Sequence, residues 1–396
     1  MPGEPRDGGP LGEHRQAVEL DTACPGDRIA DRADTGDQAC RRPERRAVLP
    51  TGQRHAAARR PRGHLTLGPA HAYSDAIPIE RLPGPRFVEL LRSPFAHEEL
   101  ADRGPLVLVD TDDIVADARD IGTLASIPVV VAGDHRSQLV DIVVDDGSLE
   151  DIARTVERWP IASVALAVLL RSAERRSVAD GLVAESAVYS LLQAGPEFAR
   201  WRAERPSGSH PQEGPAVRCE REGDRLLVTL SRPGVHNAFS AAMRDELVEA
   251  LAVARADLSI KTVVLSGEGK SFCSGGDLDE FGSRPDPATA HVLRLQRSAP
   301  LAVASVAERL EARLHGACLG AGIELAAFAR HVVATEDAAI GLPEVTLGLI
   351  PGAGGTVSVT ARAGRHNTAW LALSGSTIDA DTARAWGLVD EIVDST

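Results

Sequence analysis

Two apolar runs, RLLVTLS (225–231) and KTVVLSG (261–267), flank the stretch SAAMRDELVEALAVARAD, whose apolar residues recur at three- and four-residue steps. Short runs of this kind ending in turn residues read as strands, and the periodic stretch between them reads as a helix capped by Ser240. A chain that alternates strand and helix must layer helices on a sheet, so residues from Pro215 onward are α/β. The pattern continues with a short helix at GIELAAFAR (322–330), a strand at HVVATED (331–337) and a helix at DADTARAWG (379–387), before the terminal LVDEIVD.

The 396 residues allow two or three domains, and three zones are expected. Residues 1–75 are dense in Gly, Pro, Arg, Asp and His and almost free of aromatic residues. Such a segment buries too little apolar area to offset its ordering entropy, so it is expected to be a disordered extension. Residues 76–209 carry a second α/β pattern: strands at PLVLVDTDD (105–113), IPVVVAGD (127–134) and QLVDIVVDD (138–146), then helices. Of these, GSLEDIARTVERW has Ser148 as its N-cap, and two further helical runs follow around 161–174 and 177–193. FARWRAERPSGSHPQEGP has a linker's composition and places a boundary near 210. Residues 210–396 form the third zone. Leu139-Val140-Asp141-Ile142-Val143 is echoed at the chain end by Leu388-Val389-Asp390-Glu391-Ile392-Val393.

A formal charge of −14 argues against non-specific nucleic-acid binding. The longest apolar run, Ile161 to Leu170, is too short to span a bilayer, and no apolar run follows the N-terminal basic residues as in a signal peptide. Five cysteines at irregular spacing form neither a disulfide framework nor a zinc site, which suits the cytoplasm. No metal cluster, dinucleotide fingerprint or bound redox cofactor is expected. Gly269-Lys270-Ser271 mimics the end of a phosphate-binding loop, but Val264 stands where the first glycine belongs, and Gly275-Gly276 make a poor helix start.

Three segments carry the candidate chemistry. In HGACLGAGIELA (315–326) a glycine-rich turn at Gly320-Ala321-Gly322 opens a helix whose first N–H groups lack intrahelical partners. Those groups can donate to a developing negative oxygen, with Glu324 one turn along on the same face. Gly275-Gly276 in SFCSGGDL follows a strand and can turn a second N–H outward. In IGLPEVTLGLIPGAGGT (340–356), Glu344 sits in apolar surroundings that raise a carboxyl pKa and suit it to proton transfer, while Gly352, Gly354 and Gly355 shape a tight turn. Asp277 and Asp279 read as turn and cap residues, Cys273 and Cys318 as packing residues, and His236 and His315 as structural loop histidines.

Taken together, HNAFS (236–240), SFCSGGDL (271–278), GACLGAGIELA (316–326) and LPEVTLGLIPGAGGT (342–356) resemble the crotonase superfamily of enoyl-CoA hydratases and isomerases, over about 217–396. The resemblance implies a spiral of ββα units, with oxyanion donors at the N–H groups of Gly276 and Ala321. It places the two catalytic glutamates at Glu324 and Glu344, and coenzyme A contacts at Asn237, Ala238, Ser274, Gly275 and Gly320. It further implies an acyl-CoA substrate hydrated without a separate cofactor, and a homo-oligomer, trimer or hexamer. An isomerase, a CoA-thioester hydrolase and a non-catalytic acyl-CoA scaffold are the alternatives. The family's usual C-terminal helices have no counterpart after 396, yet 177–206 is similar to them, which implies a permuted or duplicated arrangement.

Overall fold

A computed structural model of the chain describes residues 79, 81–112, 114, 124–145, 147–205, 208, 214–283 and 286–394. The expectation of disorder for 1–75 lies outside the described residues. Those described belong to one compact unit, Tyr73–Thr396.

The N-terminal part is a four-stranded parallel sheet in the order β1 (Arg81–Leu82), β2 (Leu106–Val109), β3 (Val130–Gly133), β4 (Ile142–Val143). Alternating side chains divide between its two faces. Val107, Val109, Val129 and Val131 pack with Phe87, Leu91 and Leu100 of helices α1 (Gly84–Leu91) and α2 (Ala96–Ala101). Leu108, Val130 and Ala132 point the other way, into the main core. All three expected strands form, but shorter than their apolar runs. The third is cut to two residues because the Asp141 carboxylate accepts the Val131 N–H at 2.9 Å, replacing a ladder bond.

Four helices follow: α3 (Leu149–Arg158), α4 (Pro160–Leu170), α5 (Val178–Gln193) and α6 (Pro196–Glu204). Ser177 caps α5 by accepting the Asp180 N–H. Ser148 precedes α3 as expected, but its hydroxyl donates to Asp145 and makes no cap bond. The linker expected to begin at Phe198 instead continues as α6 to Glu204. Phe198 and Trp201 stack at 5.5 Å, and Trp201 meets Phe281 at 6.3 Å, so aromatic packing holds the segment helical.

The larger sheet has the order β12 (Glu391–Val393), β10 (His331–Thr335), β8 (Leu310–Leu314), β7 (Thr262–Gly267), β6 (Arg225–Leu230), β5 (Val217–Glu222). Only β5 and β6 are antiparallel, and each later strand is added on one side. Two further strands, β9 (Ala317–Leu319) and β11 (Ala339–Gly341), pair in a small second sheet. The helices in chain order are α7 (Ala241–Ala256), α8 (Pro287–Gln296), α9 (Ala299–Ala304), α10 (Ala321–Ala326), α11 (Gly355–Ser374) and α12 (Ala380–Ala385). The turns β8–β9–α10 and β10–β11–α11 each give one strand to each sheet and then a helix, and β5–β6–α7 gives two strands and a helix, which is a spiral of ββα units. Ser240 caps α7 through the Met243 N–H. Strand β5 falls outside the expected elements because Val217 is its one buried residue.

Helix α11 joins the two parts. It packs against α3, α4, α5 and β4 as well as α10, and one apolar cluster runs from Val130 and Leu166 to Ile350 and Ala372. No described helix is long and apolar enough to cross a membrane.

Candidate active site

Two glycine turns meet at the centre of the spiral. Gly275 has φ 100°, and a Cβ there would stand 3.4 Å from the Leu319 carbonyl oxygen. Gly320 has φ 47°, and a Cβ there would collide with the Glu344 carboxylate. The left-handed backbone favours glycine at both positions, and at Gly320 the close approach of Glu344 demands it as well. The residues that follow, Gly276 and Ala321, line one cavity of about 690 Å³ together with Glu324 and Glu344. In the bridge between Phe239 and Gly276, the bonds run from Phe239 N–H to Gly275 and from Asp277 N–H to Phe239. The Gly276 N–H consequently faces away from that bridge.

Glu324 lies in α10 and is 1% exposed. Its Oε2 accepts the N–H groups of Ala353 and Gly355, each at 2.8 Å, leaving Oε1 without a bond among the described residues. Glu344, in the short 3₁₀ turn Pro343–Leu347, is also buried, and its Oε2 has no hydrogen-bond partner among the described residues. Burial pushes the Glu344 carboxyl up to about 8. Burial and then the neighbouring Glu344 and Glu185 hold Glu324 well above the usual carboxylate range. Of the two, Glu324 has the ionised form better supported, because two amides donate to it. One cluster thus offers a carboxyl that keeps its proton beside one equipped to lose it.

Asn237, Ala238, Ser274, Gly275 and Gly320 do not line this cavity. Asn237 is fully buried, and its amide bonds Arg232 N–H and the carbonyls of Glu268 and Ser271, so it locks the loop behind the cavity. Asp277 is buried against Arg232 at 2.9 Å, and the Asp279 N–H bonds its carboxylate at 3.2 Å, as turn residues do. Cys273 and Cys318 are fully buried, and burial pushes the Cys273 thiol up to about 12. His236 and His315 bond Ser271 and the Gly269 carbonyl. No helix begins at Lys270, which lies in a turn.

The pattern of the Enoyl-CoA hydratase/isomerase family matches residues 220–396. The 2,3-dehydroadipyl-CoA hydratase of Escherichia coli K12 is 40% identical over 170 residues, 43% of this chain and 66% of that protein. A probable enoyl-CoA hydratase of Rhizobium meliloti is 36% identical over 44% of this chain and 67% of its own length. The chain belongs to the enoyl-CoA hydratase/isomerase family. It spans just under two thirds of the Escherichia coli relative. The enoyl-CoA hydratase structure from Thermoplasma volcanium is 36% identical, with a TM-score of 0.42, over 46% of this chain and 73% of that one.

The family segment supplies only part of the cavity wall. Leu182, Glu185, Tyr189, Phe198 and Arg202 of α5 and α6 line it too, from outside residues 220–396. None of them stood out in the sequence as a site residue. Arg294 of α8 lies 4.8 Å over the Tyr189 ring and bonds Ser186, Ser190 and Gln193. Elsewhere, Asp112, Asp134 and His135 bring ligand atoms within 4.8 Å of one another, the one such group among the described residues able to hold a metal ion. Asp134 is engaged there by the Thr111 N–H at 3.0 Å and by the Thr111 hydroxyl, which holds its carboxyl down to about 2.

Proposed function

We propose that the protein hydrates a 2-enoyl-CoA thioester to a 3-hydroxyacyl-CoA. The observation that carries this reading is two buried carboxyl groups, Glu324 and Glu344, facing one cavity with the backbone of Gly276 and Ala321. Relatives named as hydratases support the same class. In this reading the N–H groups of Gly276 and Ala321 hold the thioester oxygen and polarise the conjugated double bond. Water bonded to Glu324 Oε1 attacks C3 and gives its proton to that carboxylate. The C2–C3 π pair moves toward the thioester, and Glu344 delivers its proton to C2. Proton exchange between the carboxyls and water restores the starting state. Asn237, Ala238, Ser274, Gly275 and Gly320 shape the loops along which the CoA portion lies.

The reading extends to the rest of the chain. Residues 76–209 are a degenerate crotonase part whose helices wall the site of 210–396. The support is a shared corner: Asp141 and Val131 exchange the same pair of bonds as Asp390 and Val332.

Purified protein mixed with crotonyl-CoA tests the function by loss of the conjugated thioester absorbance. Release of free CoA thiol, or turnover untouched in Glu324→Gln or Glu344→Gln, would overturn the assignment.

A further inference from the structure

Helix α11 begins in a turn with almost no side chains of its own. Gly352, Gly354 and Gly355 lie within five residues, and Gly354 has φ 102°. Four successive backbone N–H groups there, of Ala353, Gly354, Gly355 and Thr356, all donate to carboxylates, and they alternate. Those of Ala353 and Gly355 reach Glu324 Oε2 at 2.8 Å each. That of Gly354 reaches Glu185 Oε1 at 2.7 Å and that of Thr356 reaches Glu185 Oε2 at 3.0 Å, where the Thr356 hydroxyl adds a third bond at 2.7 Å. The two acids grip the turn from opposite sides. One is the proposed base. The other comes from α5, about 170 positions earlier.

We propose that Glu185 is a positioning residue: through Gly354 and Thr356 it fixes the glycine turn that holds Glu324, and so sets where the free oxygen of Glu324 meets water. The role rests on the hydratase reading. The glycines pack closely under Tyr189, Phe328 and Pro300, but glycine backbone is free to rotate, so the direction of each N–H depends on what it bonds. With Glu185 in place, both bonds of Glu324 fall on one oxygen and the other is left for chemistry. A glutamine at 185 keeps the shape but has one acceptor oxygen where two are used, and its NH₂ would oppose an N–H donor.

Charge adds a second handle. Glu185 is itself buried, and burial pushes its carboxyl up to about 7. The groups that act on it are Arg294 of α8, Thr356 of α11, and Glu324 and Glu344 across the cavity. Tyr189 lies on its own helix, and His291 of α8 bonds the adjacent Ser186. Its negative charge raises the proton affinity of Glu324 and Glu344. Removing that charge lowers the pH at which Glu344 loses its proton, an effect that a purely structural role would not produce.

Glu185→Gln is the test, read by steady-state kinetics on crotonyl-CoA, the pH dependence of kcat, thermal unfolding, and hydrogen exchange of amides 353–356. The expected result is a fall in kcat of about tenfold or more at little-changed KM. The alkaline limb moves to lower pH, and those amides exchange about tenfold faster. A kcat within about twofold of wild type overturns the proposal, as does a loss matching the unfolded fraction with the alkaline limb unmoved. If Glu185→Gln does not fold, Thr356→Val removes one bond and no charge; kcat should drop severalfold, and wild-type kcat in it overturns the proposal. A wild-type protein inert toward crotonyl-CoA would sink the hydratase reading instead. Hydrogen exchange then decides the clamp alone, and unchanged protection in Glu185→Gln overturns it.

Discussion

Asp141 in the N-terminal sheet and Glu324 in the cavity are equally hidden, at 2% and 1% exposure, but they are treated differently. Asp141 receives Arg171 through two bonds of 2.8 and 2.6 Å, and Arg365 stands 3.7 Å away. Glu324 has amide donors on one oxygen and two further acids as its electrostatic neighbours. A buried charge left without a partner is expensive, so a fold that needs an acid only as a fastener surrounds it with cations. The chain-end counterpart of Asp141, Asp390, is exposed and meets a single arginine, Arg362, at 3.2 Å. The cavity withholds such cations from Glu324 and Glu344, which raises the proton affinity of both. Asp141 thus has cations paired to it, while Glu324 and Glu344 have none among the described residues.

Exchanging acid for amide tests the contrast most strongly. Glu324→Gln and Glu344→Gln should each cut hydration of crotonyl-CoA by roughly a thousandfold while the circular dichroism stays native. Arg171→Met should cost about 3–5 kcal/mol in urea unfolding, because Asp141 is left buried with half its compensation gone. A loss below about 1 kcal/mol would mean that burial around Asp141 matters less than its bonds suggest. Ala321→Pro deletes one amide donor at the first position of α10, where proline is tolerated, and should reduce kcat about a hundredfold with little loss of stability. The smallest effect is on stability against pH. Glu344 binds its proton more tightly folded than unfolded, so its contribution is fullest in acid and declines as pH rises from the ordinary carboxylate range to about 8. Glu344→Gln should therefore raise the melting temperature at pH 8 by a few degrees and leave it unchanged at pH 4.

The core's order of strands and helices was legible because each run is short, β-branched and ended by a turn residue, with Ser240 marking a helix start. Strand lengths were not, since hydropathy does not reveal that Asp141 takes over a ladder bond from β4. The linker reading of 198–215 gave weight to Pro206 and Gly208 over Phe198 and Trp201, whose three-residue spacing was the available signal for α6. In the site, Glu324, Glu344, Gly276 and Ala321 came from local motifs that the fold brings to one cavity. Glu185 left no such trace: its partners Gly354 and Thr356 lie far along the chain, and a lone glutamate on a helix looks like any solvated one.

The bend inside α11 has a consequence of its own. Gly364, at φ 78°, breaks the helix so that its first half closes the cavity turn. Its second half sends Arg365 to the carbonyls of Val140 and Ser137, and Asn367 to Arg136. One helix is in this way stitched to the cavity turn and to the N-terminal sheet region. A gene cut down to the family-matched stretch would encode that helix with its far stitches missing and a cavity open along one side.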